Sequence, residues 1–151
     1  MTPMKLLVTG GAGFIGSNFI RYMLNKHPEV EIVNMDILTY AGNLENLSLI
    51  EKNPHYTFIK GNIASAKDVD AVFKSHSFDA VINFAAETHV DRSLHLGVEP
   101  FITTNISGTQ ALLDTSRVHG TGRFLHISTD EVYGSLGSAG KFLESSPRKR
   151  I

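Results

Sequence analysis

The sequence predicts an α/β chain built on a doubly wound parallel sheet, and three observations predict it. Short apolar runs alternate with longer amphipathic stretches along the chain. A glycine-rich turn, Gly10 to Gly16, follows the first apolar run and opens the first amphipathic one. An acidic residue, Asp36, closes the second run about twenty residues further on. Strand, helix and strand repeated at this spacing set parallel strands side by side with helices on both faces.

Each element has its own signal. Lys5-Leu6-Leu7-Val8-Thr9 reads as a buried strand. The helix after the glycine turn carries Ile15, Phe19 and Met23 on one stripe with Ile20 and Leu24 beside it, and His27-Pro28 stops it. Glu31 to Asp36 is a second strand and Tyr56 to Lys60 a third, with a short helix expected between Asn43 and Lys52. Ser65 is the N-cap of a helix running to about His76. Asp79 to Ala85 is a fourth strand. Pro100 suits the first turn of the next helix, whose stripe is Ile102, Ile106, Leu112 and Leu113, and Gly120 and Gly122 end it. Phe124 to Ser128 is a fifth strand. The tail from Ser145 to Ile151 reads as solvated and unstructured.

Composition bounds the function. A chain of 151 residues suits one core. With 42% apolar and 19% charged residues it falls in the globular class. A net charge of −1 offers no field for nucleic acid or an anionic membrane. Cysteine is absent, which excludes disulfides, thiolate zinc sites and thiol nucleophiles and fits the cytoplasm. The first apolar run is too short for a signal sequence or a membrane span. Seven histidines lie scattered without H-x-H or H-E-x-x-H spacing, so no metal site is expected.

The glycine turn carries the first chemistry. Gly11, Gly13 and Gly16 satisfy G-x-G-x-x-G literally, and Gly10, Gly13 and Gly16 give a looser variant. Glycine is needed because a pyrophosphate must approach the backbone and sit on helix N–H groups. A carboxylate at Asp36 can accept both ribose hydroxyls and repels a 2′-phosphate, which favours NAD over NADP. The expected fold is therefore Rossmann-type.

Five motifs then add a resemblance. They are the glycine turn, Asp36-Ile37-Leu38-Thr39-Tyr40-Ala41-Gly42-Asn43, Phe84 to Ser93, Thr104-Asn105-Ile106, and Ser128-Thr129-Asp130-Glu131-Val132-Tyr133-Gly134. Together they resemble the nucleotide-sugar 4,6-dehydratases of the extended short-chain dehydrogenases, those acting on dTDP-glucose in particular. The adjacent Asp130 and Glu131 mark that group, and related sugar-nucleotide epimerases and decarboxylases typically lack the pair. A nucleotide-sensing module without catalysis is the alternative of another class, and it has no use for two acids.

The resemblance implies a chemistry and its residues. Hydride leaves C4 of the hexose for NAD, a base takes the newly acidic C5 proton, an acid protonates the departing C6 hydroxyl, and the hydride returns at C6. It implies Asp130 as the acid, Glu131 as the base and Thr129 as a partner of the C4 hydroxyl. It implies that Gly10, Gly13, Phe14, Ile15, Gly16, Asp36, Ile37, Leu38, Thr39, Asn62, Ile63, Ala85, Ala86 and Thr104 line the NAD site and that Thr88 touches a dTDP-sugar substrate. Asn62 departs from the family, which often carries aspartate there. His89 and Arg92 are placed to contact the substrate as well, and the structural reading is preferred for each. Neighbouring strand residues point to opposite faces, so both acids reach one sugar only if the chain turns at Gly134.

The resemblance also implies a homodimer for full-length members and a Tyr-x-x-x-Lys helix after the fifth strand, whose tyrosine takes the C4 hydroxyl proton as the hydride leaves and whose lysine lowers the pKa of that tyrosine. Two segments have that spacing, Tyr22 to Lys26 and Tyr56 to Lys60, and both are decoys, one on the helix after the glycine turn and one on a strand. Residues 148–151 depart from the family pattern. The expectation is an incomplete NAD-binding domain over 1–147, a short unrelated tail, no substrate domain, and a truncated chain inactive alone.

Overall fold

The computed structural model describes residues 3–89, 97–137 and 139–148. Within them five strands form one parallel sheet in the order β3-β2-β1-β4-β5. The strands are β1 (Lys5–Thr9), β2 (Glu31–Asp36), β3 (Tyr56–Lys60), β4 (Ala80–Asn83) and β5 (Arg123–His126). The order reverses beside β1, with β2 on one side of it and β4 on the other. Loops leaving β1 and β4 therefore part in opposite directions and open a crevice at their C-terminal ends.

Helices cover both faces. The helix α1 (Phe14–Lys26) buries Ile20 and Leu24 against Leu6, Val8, Ile32 and Ile82. On the other face α2 (Ala66–Ser75) brings Val69, Val72 and Phe73 onto Leu7, Val33, Met35 and Val81. The Ser65 hydroxyl caps α2 by accepting from Asp68 N–H at 3.3 Å, as its sequence position predicts. Between β2 and β3 the expected short helix is a 3₁₀ helix, Leu44–Ile50, capped by Asn43. A three-residue α3 (Glu99–Phe101) runs through a π-helical stretch (Ile102–Gly108) into α4 (Thr109–Val118). π geometry of this length is uncommon and concentrates at functional sites.

Several expectations need correction. The fourth strand ends at Asn83, not Ala85, because the Asn83 side chain takes the Ala85 N–H at 3.1 Å. The fifth runs over Arg123–His126 and not to Ser128. Of the stripe on the helix after Pro100, only Leu112 is buried; Ile102, Ile106 and Leu113 face outward, so the apolar pattern there is not a core pattern. Ile15 likewise stands exposed at the start of α1. Ser145 to Pro147 is not wholly unstructured, since Ser146 closes a turn by hydrogen bonds to Leu143. The tail residues 149–151 lie outside the described residues, as does the Val90–Ser93 end of the third motif with Arg92.

A candidate dinucleotide and acid–base site

All the motifs meet at one edge. In a parallel sheet every strand points the same way, so the segments after β1, β2, β3, β4 and β5 all emerge at the C-terminal edge. These segments hold Gly10 to Gly16, Ile37 to Thr39 with Asp36 at the strand end, Asn62 and Ile63, Ala85 to Thr88, and Thr129 to Glu131.

The glycine turn is held from below and open above. Gly10 has φ +71°, and a side chain there would lie 2.5 Å from the Ala85 nitrogen, so β1 can bend away beside β4 only with glycine. Gly13 differs: a Cβ would meet Gly10 O at 3.3 Å and little else. Its free side is where another molecule can approach the backbone. Helical bonding of α1 begins with Ser17 N–H to Gly13 O at 3.0 Å. Among the described residues the N–H groups of Phe14, Ile15 and Gly16 before it have no acceptor one turn back, which is the kind of donor set that receives phosphate at a helix start. Phe14 and Ile15 are 81% and 61% exposed, large apolar surface at the same mouth.

Asp36 closes the other wall. Its carboxylate is buried and accepts from Ala12 N–H at 2.9 Å and Leu38 N–H at 2.8 Å. Each oxygen keeps a second lone pair for a hydroxyl, so the geometry fits a ribose diol. Leu38 takes φ +59° in bringing its N–H to Asp36. Ile37 and Thr39 are exposed beside it. Asn62 accepts from Ala64 N–H at 2.9 Å, and its own N–H donates to Asp68 at 3.0 Å, leaving its side-chain NH₂ free of either bond. Ile63 is a correction in part, because its side chain lies in the core. Only its backbone can line a ligand.

Across the crevice Ala85 is half-buried, Ala86 and Thr88 are exposed, and Thr104 lies on the π-helical stretch. Sequence reading missed what secures this loop. Asn105 accepts from Glu87 N–H at 2.8 Å and donates to Glu87 O at 2.9 Å. The Glu87 carboxylate accepts from the Tyr40 hydroxyl, which joins the loop after β2 to the loop after β4. Deeper, Asn83 is fully buried and links three elements: it accepts from Thr9 Oγ1 at 2.5 Å, donates to Thr109 Oγ1 at 3.3 Å, and meets His126 Nδ1 at 3.2 Å. Its signal in the sequence is a polar residue ending an apolar run.

After β5 the chain turns. Thr129 is extended, Asp130–Tyr133 forms a 3₁₀ turn, and Gly134 has φ +79°. Asp130 and Glu131 are exposed, and no hydrogen bond or ion pair among the described residues engages either carboxylate. Tyr133 stacks on Phe142 at 5.1 Å, which folds the following segment back on the turn. Tyr22 is exposed on α1, while Tyr56 and Lys60 share a face of β3 but stand about 13 Å apart.

Comparison with known proteins agrees with this geometry. The family model for GDP-mannose 4,6 dehydratase matches residues 7–149. A dTDP-glucose 4,6-dehydratase of Xanthomonas campestris pv. campestris is 49% identical over 150 residues, covering 93% of this chain and 42% of that protein. The dTDP-glucose 4,6-dehydratase DesIV of Streptomyces venezuelae, solved with NAD bound, superposes with a TM-score of 0.86 at 47% identity over 97% of this chain and 45% of its own. A UDP-Glc/GlcNAc 4-epimerase of Campylobacter jejuni gives 0.84 at 28% identity, over 98% of this chain and 44% of its own. The chain thus spans less than half the length of the relatives it matches.

Proposed function

This chain belongs to the GDP-mannose 4,6 dehydratase family, and on that premise we propose that it carries the NAD-binding and acid–base residues of a dTDP-glucose 4,6-dehydratase. The observation that carries the reading is that adjacent acids, Asp130 and Glu131, sit on a turn at the same sheet edge as the glycine turn and Asp36. NAD-bound relatives of this fold support the cofactor.

The site residues divide the work. The free N–H groups at the start of α1 hold the pyrophosphate, Gly13 lets it approach, and Asp36 receives the adenosine ribose. The Asn62 side chain and the Ile63 backbone face the adenine, while Ala85, Ala86 and Thr104 flank the nicotinamide half. When bound, NAD supplies a hydride acceptor for sugar C4 and a hydride donor for C6. Thr129 hydrogen-bonds the C4 hydroxyl, Glu131 takes the C5 proton, Asp130 protonates the leaving C6 hydroxyl, and Thr88 contacts the sugar nucleotide. The epimerase reading is favoured by fold similarity at 27–29% identity, and the acid pair argues against it.

Domain 1–147 is read as the NAD-binding part, 148–151 as a tail outside it, and the cytoplasm as its place. Among the described residues no helix is long and apolar enough to cross a membrane. The decisive experiment has two arms. Calorimetric titration should show NADH binding more tightly than NADPH. An assay for the 4-keto-6-deoxy sugar nucleotide should find no turnover by the 151-residue chain, because neither Tyr-x-x-x-Lys pair lies at the site. Equal affinity for both cofactors overturns the cofactor assignment, and robust product formation overturns the catalytic one.

A further inference from the structure

Strand β2 carries an asparagine inside its buried run. Asn34 is 0% exposed and lies in register between Val8 of β1 and Phe58 of β3. A buried amide persists only where its donors and acceptors are used. Here Oδ1 accepts from Gly11 N–H at 3.1 Å, and Nδ2 donates to the Tyr56 hydroxyl at 2.9 Å. A Cβ on Gly11 would lie 2.2 Å from that Oδ1, so the amide is seated directly against the turn.

Its neighbours extend the pattern. Asp36, two residues on and so on the same face, takes the next N–H, that of Ala12, at 2.9 Å. Met35 between them gives its carbonyl to Gly10 N–H at 3.0 Å. Three consecutive amides of the glycine turn are thus held by three consecutive residues of β2. Those amides point into the protein and away from any phosphate. What remains for an anion is the set on Phe14, Ile15 and Gly16, and its aim depends on the turn beneath it. Asp36 borders the crevice as well as holding the turn. Asn34 is buried behind the turn.

We infer that Asn34 is a positioning residue of the dinucleotide site: it sets the glycine turn, and through Tyr56 it anchors that turn to edge strand β3. The inference rests on the NAD-binding reading. A merely structural asparagine would weaken every ligand equally or none. A positioning one weakens those ligands whose pyrophosphate sits on the turn.

The test uses the full chain with Asn34→Leu, similar in size and lacking both hydrogen-bonding groups. NADH and ADP-ribose should each bind about tenfold more weakly, as expected for one lost buried hydrogen bond, while adenosine binding is unchanged. In Asn34→Asp the carboxylate accepts from both Gly11 N–H and Tyr56 O–H, and affinity should return to within about threefold of the parent. Tyr56→Phe should weaken NADH by about two- to threefold in the parent and not at all in the Asn34→Leu background, since coupled partners are not additive. Unchanged NADH affinity in a folded Asn34→Leu chain, or an equal loss for adenosine, overturns the inference. Should Asn34→Leu not fold, Tyr56→Phe decides: no selective loss of NADH affinity overturns it. Failure of the parent to bind NADH sinks the functional reading instead. The hold of Asn34 on the turn is then read from hydrogen exchange, where Gly11 N–H must speed up in Asn34→Leu while Val8 N–H does not.

Discussion

Strands β2 and β5 carry similar apolar patterns and have opposite fates. From Ile32 to Asp36 every residue of β2 is buried, because β1 and β3 flank it and helices cover both faces. Strand β5 pairs with β4 alone among the described residues. Phe124 on one face packs on the core shared with α4, yet Leu125 on the other face is 53% exposed. Leu125 pairs in register with Ile82, which α1 and its neighbours cover. The cover stops one strand short. Burial therefore follows from what packs on a strand, and the strand's own residues cannot supply it.

The contrast can be broken most strongly by matched leucine substitutions. Leu7 is 0% exposed at the centre of the sheet, so Leu7→Ala should cost about 2–5 kcal/mol in denaturant unfolding. Leu125→Thr should change stability by less than about 0.5 kcal/mol, as for other exposed positions. Comparable costs at the two positions would mean that β5 is covered in solution.

The cofactor edge gives the next effect. The Asp36 carboxylate holds Ala12 and Leu38, and on the proposed reading it also receives the ribose, so Asp36→Ala should weaken NADH by about tenfold or more and narrow its advantage over NADPH. An unchanged ratio in parallel titrations would remove Asp36 from cofactor selection.

Edge exposure predicts a smaller effect on association. Leu125 on β5, with Ile102, Ile106 and Leu113 on the helices, leaves apolar surface and, among the described residues, an unpaired strand edge. Light scattering at several concentrations should show self-association, reduced in Leu125→Thr. A monomer at all concentrations that binds no hydrophobic dye contradicts this.

The smallest effect is a pH dependence. Burial pushes the Tyr56 hydroxyl above its ordinary range of about 10, opposed by the hydrogen bond from Asn34 and assisted by the nearby Asp36 charge. A pKa raised on folding gives stability that is fully present below the unfolded value and lost as pH rises through the folded one. Thermal melts should therefore fall above pH 10 by less in Tyr56→Phe than in the parent. Equal falls would show that Tyr56 is solvated.

Much of the site was legible because its signals are local. The glycine turn opens a helix, Asp36 ends a strand, Ser65 caps α2, and Gly134 turns the chain after the two acids. Each follows from a few neighbouring residues and their backbone preferences. Other features needed partners far along the chain. Asn34 reads in sequence only as a polar intrusion in a strand, and its work appears once register brings it under Gly11. Asn83 finds Thr9 across 74 residues, and Glu87 finds Tyr40 across 47.

The sequence by itself determined the order of strands and helices, the parallel sheet, the glycine turn and the acids at the strand ends. Periodicity, glycine geometry and capping act within a few residues, so they need no knowledge of the rest of the chain. The tertiary structure alone decided that Ile63 points into the core, that Ile102, Ile106 and Leu125 face outward, and that β2 holds the glycine turn by three successive bonds. Burial and cross-strand hydrogen bonding are properties of neighbours in space, and only the packed sheet says who those neighbours are.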